Sequence, residues 1–517
     1  MSVVPARCEG RLVSSEERSH CLLKELPGPL LGHVWPAERA LLGLKVSRWM
    51  REELMLHAER VIYQSKGKEA DADKDTVARD LSLSPGSASI TVLMAGSKSF
   101  DFEFSESIAD LHLLSLVEAI PMQLKNTLVH LELHGCTMSV AVAKQLSPAL
   151  KQCKVLARLD ILQSSIFAMA FDLILKALQE CQPLSQLKLS GLRNLDGVSF
   201  RQFSTNLTHL DLSSSTMRAQ GATELCSSLR NNTRLTNLHL NSNHIGSDGA
   251  TALAQVLKTC TELKKLDLSA CAISDEGMTA LAATLEEHYA LEHLDLSQNT
   301  AGGAGMMQLI PSVGRRCMAL SHLDIGGNIL SGSTAVQTAA CLETCSSLSC
   351  LGMPGCELGD EGAEQLAVVV GRCGALERTI LRENNISPIG CGHLSAALKR
   401  CKRLTHLDLG GNSVGPTGAT ALGEVLRDCP ALTRLDLMTN GIGDDGLQSL
   451  ARSMKLGTSR ALTALDLRCN RISSVGVDAL AVVVPGPLCP CLSYVDLRWN
   501  KFTKAVGVEC GKPFRFH

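Results

Sequence analysis

The chain has few aromatic residues. Ten Phe, three Trp and three Tyr make up 3% of 517 residues. That is too few for the ring platforms that hold single-stranded nucleic acid. An excess of either charge is also missing, with 50 Lys and Arg against 52 Asp and Glu. The balance excludes a basic nucleic-acid tail and an acidic solvating tail. No apolar run reaches 18 residues, so no membrane-spanning helix is expected. The start of the chain holds Arg7, Glu9, Arg11, Glu16, Glu17 and Arg18, and no secretory apolar segment is read there.

Signatures of catalysis are scarce too. Gly96-Ser-Lys98-Ser99 lacks the upstream glycine of a phosphate-binding loop, and Gly302-Gly-Ala-Gly305 lacks the third glycine of a dinucleotide fingerprint. No H-E-x-x-H sequence occurs. Gly411-Asn-Ser413-Val-Gly415 fits G-x-S-x-G, but that motif needs a strand–turn–helix in a doubly wound sheet. Here Asn412 and Val414 have repeat duties instead. No catalytic residue, metal set or cofactor is expected.

What the chain does have is a repeat and 21 cysteines. From Leu128 onward the text L-x-x-L-x-L-x-x-N/C recurs, as in Leu235-Thr-Asn-Leu238-His-Leu240-Asn-Ser-Asn243. Its first position falls at 128, 156, 184, 207, 235, 263, 291, 320, 348, 376, 404, 432, 462 and 492. The steps are 28 or 29 residues, apart from one of 23 and the last two of 30. Such a period belongs to a solenoid, in which each unit buries its apolar face only against its neighbours. The Leu positions predict a short strand pointing inward. A helical pattern follows, as in Gly249-Ala-Thr-Ala-Leu253-Ala-Gln-Val-Leu257. The ninth position is expected to turn in and tie down the loop. It is Asn at 243, 299, 328, 384, 412, 440, 470 and 500, and Cys at 136, 271 and 356.

The expected architecture is α/β: a right-handed leucine-rich-repeat solenoid, or horseshoe, of about 14 repeats of 28 residues. A parallel sheet would line the concave side, with helices on the convex side. The period and the G-x-x-x-L-x-x-x-L helix resemble the ribonuclease-inhibitor type of leucine-rich repeat over residues 125–502. Similar repeats are shared by Ran GTPase-activating proteins, nucleotide-binding immune receptors and leucine-rich subunits of the axonemal dynein regulatory complex.

Nine cysteines stand three residues before a repeat's first Leu, at 153, 181, 260, 317, 345, 373, 401, 429 and 489. They read as small buried residues at helix ends. A redox or metal role is the alternative, but no C-x-x-C occurs. A reducing, cytoplasmic setting is the expectation.

Before the repeats, residues 1–63 read as an N-terminal segment with one amphipathic helix over 37–63. Residues 64–88 read as a linker, and 89–124 as an α+β cap with strands at Ser89–Met94 and Phe100–Phe104. Residues 503–517 form a short basic tail.

On each strand, positions 3, 5 and 7 point outward. His or basic residues fill position 3 and Asp fills position 5, giving the pairs His293 with Asp295, His322 with Asp324, and His406 with Asp408. The bland reading is mutual neutralisation; the functional one is a protein-binding surface. The imidazole file is expected to take up protons near neutral pH, and His293 with His322 could offer zinc two ligands. In the last three repeats Arg434, Asp436, Met438, Asp466, Arg468, Tyr494, Asp496, Arg498 and Trp499 gather the residue types that anchor interfaces.

The function expected is a non-enzymatic scaffold that binds a protein partner, without nucleic acid or membrane insertion. A short N-terminal segment before repeats is similar to the axonemal proteins, which suggests a cytoskeletal or ciliary subunit. The alternative is a Ran-type activator that binds a small GTPase, although that family's acidic stretch after the repeats is replaced here by Lys501, Lys504, Lys512 and Arg515. Inhibition of a basic ribonuclease is disfavoured by the net charge of −2.

Overall fold

The computed structural model describes residues 60–66, 88–95, 125–126, 128–192, 199–200, 206–330, 332–342, 345, 347–456, 461–483, 490–501 and 514–515. The chain forms two compact units, residues 1–184 and 185–517.

In the first unit four strands pair in parallel: Arg60–Lys66 with Ala88–Ala95, Ala88–Ala95 with Leu128–His134, and Leu128–His134 with Arg158–Leu162. Helices Val140–Gln152 and Ala168–Glu180 follow the last two strands. The strand at Arg60–Lys66 corrects the helix expected over 37–63 and the linker expected from 64. The run Val61-Ile62-Tyr63 is β-branched and aromatic, which suits a pleated strand better than a helix. The Ala88–Ala95 strand covers the alternating Ser89–Met94 segment. The expected strand at Phe100–Phe104 and the helical stretch over 37–59 lie outside the described residues.

The second unit is a leucine-rich-repeat solenoid. Its coils alternate a three-residue strand with a helix, and neighbouring strands pair in parallel in strict register, as His293 with His322 or Asp408 with Asp436. The register follows from the leucines. The middle residue of each strand is buried, from Leu187 and Leu210 to Leu465 and Val495. Each helix buries one face against this layer; Leu253, Ala254 and Leu257 are within 2% of full burial. The other face of the sheet carries the outward side chains.

The ninth-position Asn works between coils. Asn299 accepts the backbone N–H groups of Cys271 and Ile273 at 3.0 Å each, and donates to the carbonyls of Leu268 and Leu296 at 2.9 Å. One side chain thereby satisfies four buried backbone groups, each costly to leave unpaired. The residue just before it is left-handed in every coil, with φ from 50° to 68°. Only five of those fourteen positions are Gly; the rest include Ala270, Glu383, Thr439 and Trp499. The loop bonds therefore hold a backbone that these side chains disfavour by about 1 kcal/mol each.

The cysteine column is structural. Cys260 donates its thiol to the carbonyl of Asn232 at 3.2 Å, Cys373 to Cys345 at 3.3 Å and Cys429 to Leu398 at 3.2 Å. Each bond reaches into the preceding coil. Burial pushes the thiols of Cys317 and Cys401 up to about 12, where the reactive thiolate is absent near neutral pH. His288 takes the same place in its coil, its Nε2 3.0 Å from the Leu257 carbonyl.

Candidate partner-binding surface

The open face of the second unit divides into two sections. The first spans the strands at Lys265–Asp267, His293–Asp295 and His322–Asp324. Its carboxylates stand one per strand, about 4.8 Å apart. Neutral groups hold them: Ser297 donates its hydroxyl and its N–H to Asp295 at 2.7 and 2.9 Å, and Gly326 donates its N–H to Asp324 at 2.9 Å. Burial first, then the neighbouring Asp295 and Asp267, push Asp324 up to about 6. Asp295 is raised for the same reasons. A side chain on Gly352 would collide with the Asp324 carboxylate, so the next strand leaves it room.

The His293 and His322 rings stack with centroids 5.1 Å apart and planes at 25°. Burial lowers both below the usual imidazole range, and His322 together with Lys265 lowers His293 further. His406 is lowered too, by burial and then by Arg378 and Arg434. For these three rings burial and neighbouring cations work against the expected proton uptake near neutral pH, while Asp324 is pushed toward that range.

The second section covers the strands from Arg378–Ile380 to Tyr494–Asp496. Here the Asp side chains are buried and gripped by arginine. Arg382 holds Asp408 through Nε and Nη2 at 2.9 and 2.6 Å, and Arg434 Nε donates to Asp436 at 2.8 Å. Arg468 forks both oxygens of Asp466, with Nε at 2.9 and 2.8 Å. Asp496 is fully buried; it receives Arg498 Nε and Nη2 at 2.9 and 2.6 Å and the Tyr494 hydroxyl at 2.9 Å. Burial would raise Asp496, but these bonds outweigh it and hold the carboxyl below its ordinary value. Trp499 is 60% exposed, and the guanidiniums of Arg468 and Arg498 lie 5.8 and 5.3 Å from its ring centre. Met438 is half-buried beside this group.

All the residues singled out in the sequence fall on these two sections. Sequence reasoning missed Arg382, which stands at position 7 of the coil that begins at Leu376. The strand at Cys350–Gly352, followed by Pro354, separates the sections without charge.

The G-x-S-x-G match is a repeat loop. Asn412 accepts the N–H groups of Asn384 and Ile386 at 3.0 Å, and Val414 is fully buried. In the first unit, ligand atoms of His130, Glu132 and Asp160 lie within 4.8 Å of one another. Asp160 already receives Arg158 Nε on both oxygens at 3.0 and 2.9 Å, so the cluster is an ion-pair network with its carboxylate neutralised.

Six segments match the family model described as Leucine Rich repeat: residues 203–226, 231–254, 259–282, 400–423, 428–451 and 458–481. No curated protein matches the chain. Among solved structures, an internalin (inlF) from Listeria monocytogenes is similar at 15% identity, covering 72% of this chain and 88% of that one with a TM-score of 0.40. Among the described residues no helix is long and apolar enough to cross a membrane.

Proposed function

We propose that the chain is a non-enzymatic scaffold that binds a protein partner on the open face of the second unit's sheet. The observation that carries this reading is the arginine section. Four guanidiniums are fixed in place by buried carboxylates, and an exposed Trp499 is wedged against two of them. Side chains already held in one geometry lose little entropy on binding. Arg, Tyr and Trp also supply the largest share of energy at interfaces. The partner-binding set is His293, Asp295, His322, Asp324, His406, Asp408, Arg434, Asp436, Met438, Asp466, Arg468, Tyr494, Asp496, Arg498 and Trp499.

The 28-residue strand-and-helix coil supports the ribonuclease-inhibitor type of repeat. The seventeen free cysteines among the described residues suit a reducing compartment. A cytoskeletal or axonemal subunit is the finer reading, resting on the likeness of the repeat pattern to the leucine-rich subunits of the axonemal dynein regulatory complex.

Proximity labelling in the native cell, followed by pull-down with wild type and an Arg468→Ala/Arg498→Ala/Trp499→Ala variant, tests the proposal. The variant is expected to lose the principal partner. Retrieval of the same proteins by both would contradict it. A single-turnover GTP hydrolysis assay with Ran is expected to show no acceleration.

A further inference from the structure

Adjacent coils of the second unit are joined by the sheet ladder, by helix packing and by the Asn ladder in the loops. In the Asn ladder, Oδ1 of a ninth-position Asn takes N–H groups from the coil before it. Asn243, Asn299, Asn384, Asn412, Asn470 and Asn500 each accept two, and Asn440 accepts one from Val414.

The coil that begins at Leu320 lacks this link on both sides. On its near side the step from Leu291 is 29 residues, and Asn328 Oδ1 is buried without a partner, although Nδ2 still donates to the carbonyls of Leu296 and Ile325 at 3.0 and 2.8 Å. On its far side the ninth position is Cys356, whose thiol lies 3.7 Å from the carbonyls of Ile325 and Pro354 and supplies no amide oxygen. Among the coils from Leu235 onward the other gap is at Cys271, and complete links at Asn243 and Asn299 flank it.

The helix side is weakened at the same place. Helix Gly332–Cys341 has 10 residues, against 14 in the helices Gly303–Arg316 and Gly359–Arg372 on either side. Thr338 Oγ1 is buried in it with no partner. In three coils an Asp caps the helix of the next coil, as where Asp275 accepts the N–H groups of Gly302 and Gly305 at 2.7 and 2.9 Å and Asp444 those of Ser473 and Gly476 at 2.8 and 3.0 Å; in others Pro388 and Pro416 fill the place. Gly303 stands at the matching place ahead of helix Gly332–Cys341 and has no side chain to offer. The sheet, by contrast, is unbroken: His322 pairs with His293 on one side and Cys350 on the other.

We propose that the coil carrying the strand His322–Asp324 and the helix Gly332–Cys341 is a flexing joint. The loop and helix side opens while the sheet ladder stays paired, so the two charge sections of the open face change their mutual angle about the strands at His322–Asp324 and Cys350–Gly352. In a solenoid, stability is a sum of coil terms and nearest-neighbour terms, so opening concentrates where two consecutive neighbour terms are weak. The inference stands on the bonding of the coils and is independent of the proposed partner.

Hydrogen exchange read by mass spectrometry on the full chain tests it. Amides of the described residues between 328 and 358 are expected to exchange about tenfold faster than those of the coils at 404–440. Cys356→Asn supplies the missing amide oxygen to the Asn328 N–H and is expected to slow that exchange about tenfold. Thr338→Ala removes the orphan hydroxyl and is expected to slow it as well. Cys271→Asn mends the isolated gap and is expected to leave 328–358 unchanged. Equal protection of 328–358 and 404–440 in wild type would overturn the joint. So would rates unmoved by both Cys356→Asn and Thr338→Ala.

Discussion

Asp324 and Asp496 stand at the same position of their coils, one in each section of the open face, yet they are shifted in opposite directions. Asp324 is held by a single backbone N–H, faces other carboxylates and is raised to about 6. Asp496 is held by an arginine and a tyrosine and is lowered. The repeat fixes where the carboxylate sits. The residues at positions 3 and 7 of its own and the adjacent coil decide whether it is a structural anchor or a half-buried carboxylate with no cation on it.

The largest expected effect breaks the arginine section. Asp466→Ala removes a buried acceptor for Arg468 Nε, Nη2 and N–H, and is expected to cost about 2 kcal/mol in urea unfolding. Asp295→Asn in the other section is expected to stay within about 0.5 kcal/mol of wild type, because the amide keeps an oxygen for the Ser297 N–H and hydroxyl while the mutual repulsion is removed.

The pH dependence sharpens the contrast. Asp324 binds its proton more tightly folded than unfolded, so its burden on stability is absent below about 4 and grows as pH rises toward its folded value of about 6. Asp496 has the opposite sign. Its stabilisation is present above the unfolded value and is lost as pH falls through the lowered folded value. Asp324→Asn is therefore expected to flatten the stability profile between about pH 4 and 6. Carbon NMR of the Asp324 carboxyl should show its midpoint in the same range.

At the border of the two sections, Thr379 replaces the strand's usual Leu and buries an unpartnered hydroxyl. Thr379→Val is expected to raise stability by about 1 kcal/mol in the same unfolding assay. The smallest effect belongs to Trp499→Ala, expected within about 0.5 kcal/mol of wild type because the ring is exposed. A large loss there would mean that the ring braces the fold instead of waiting for a partner.

Much of this was legible in the text. The leucine spacing predicts the strands, and the Asn and Cys columns predict which side chains turn inward, since burial at fixed spacing leaves a periodic mark. The left-handed residue before each Asn left no mark, because Ser, Ala, Gln, Glu, Thr, Cys and Trp all occupy it. The Arg–Asp clamps were half legible: the residue types were plain, but the grip of Arg382 on Asp408 crosses between coils. The lowering of the histidines was not legible, because a pattern of types carries neither burial nor the cations Lys265 and Arg378 standing beside the rings.

Carboxyl footprinting of the full chain, free and assembled with the partner it captures, tests the central claim most directly. The account predicts protection of Asp295 and Asp324 on the open face, with Glu364 and Glu424 on the helices unchanged. Protection of Glu364 and Glu424 with the aspartates still reactive would contradict it.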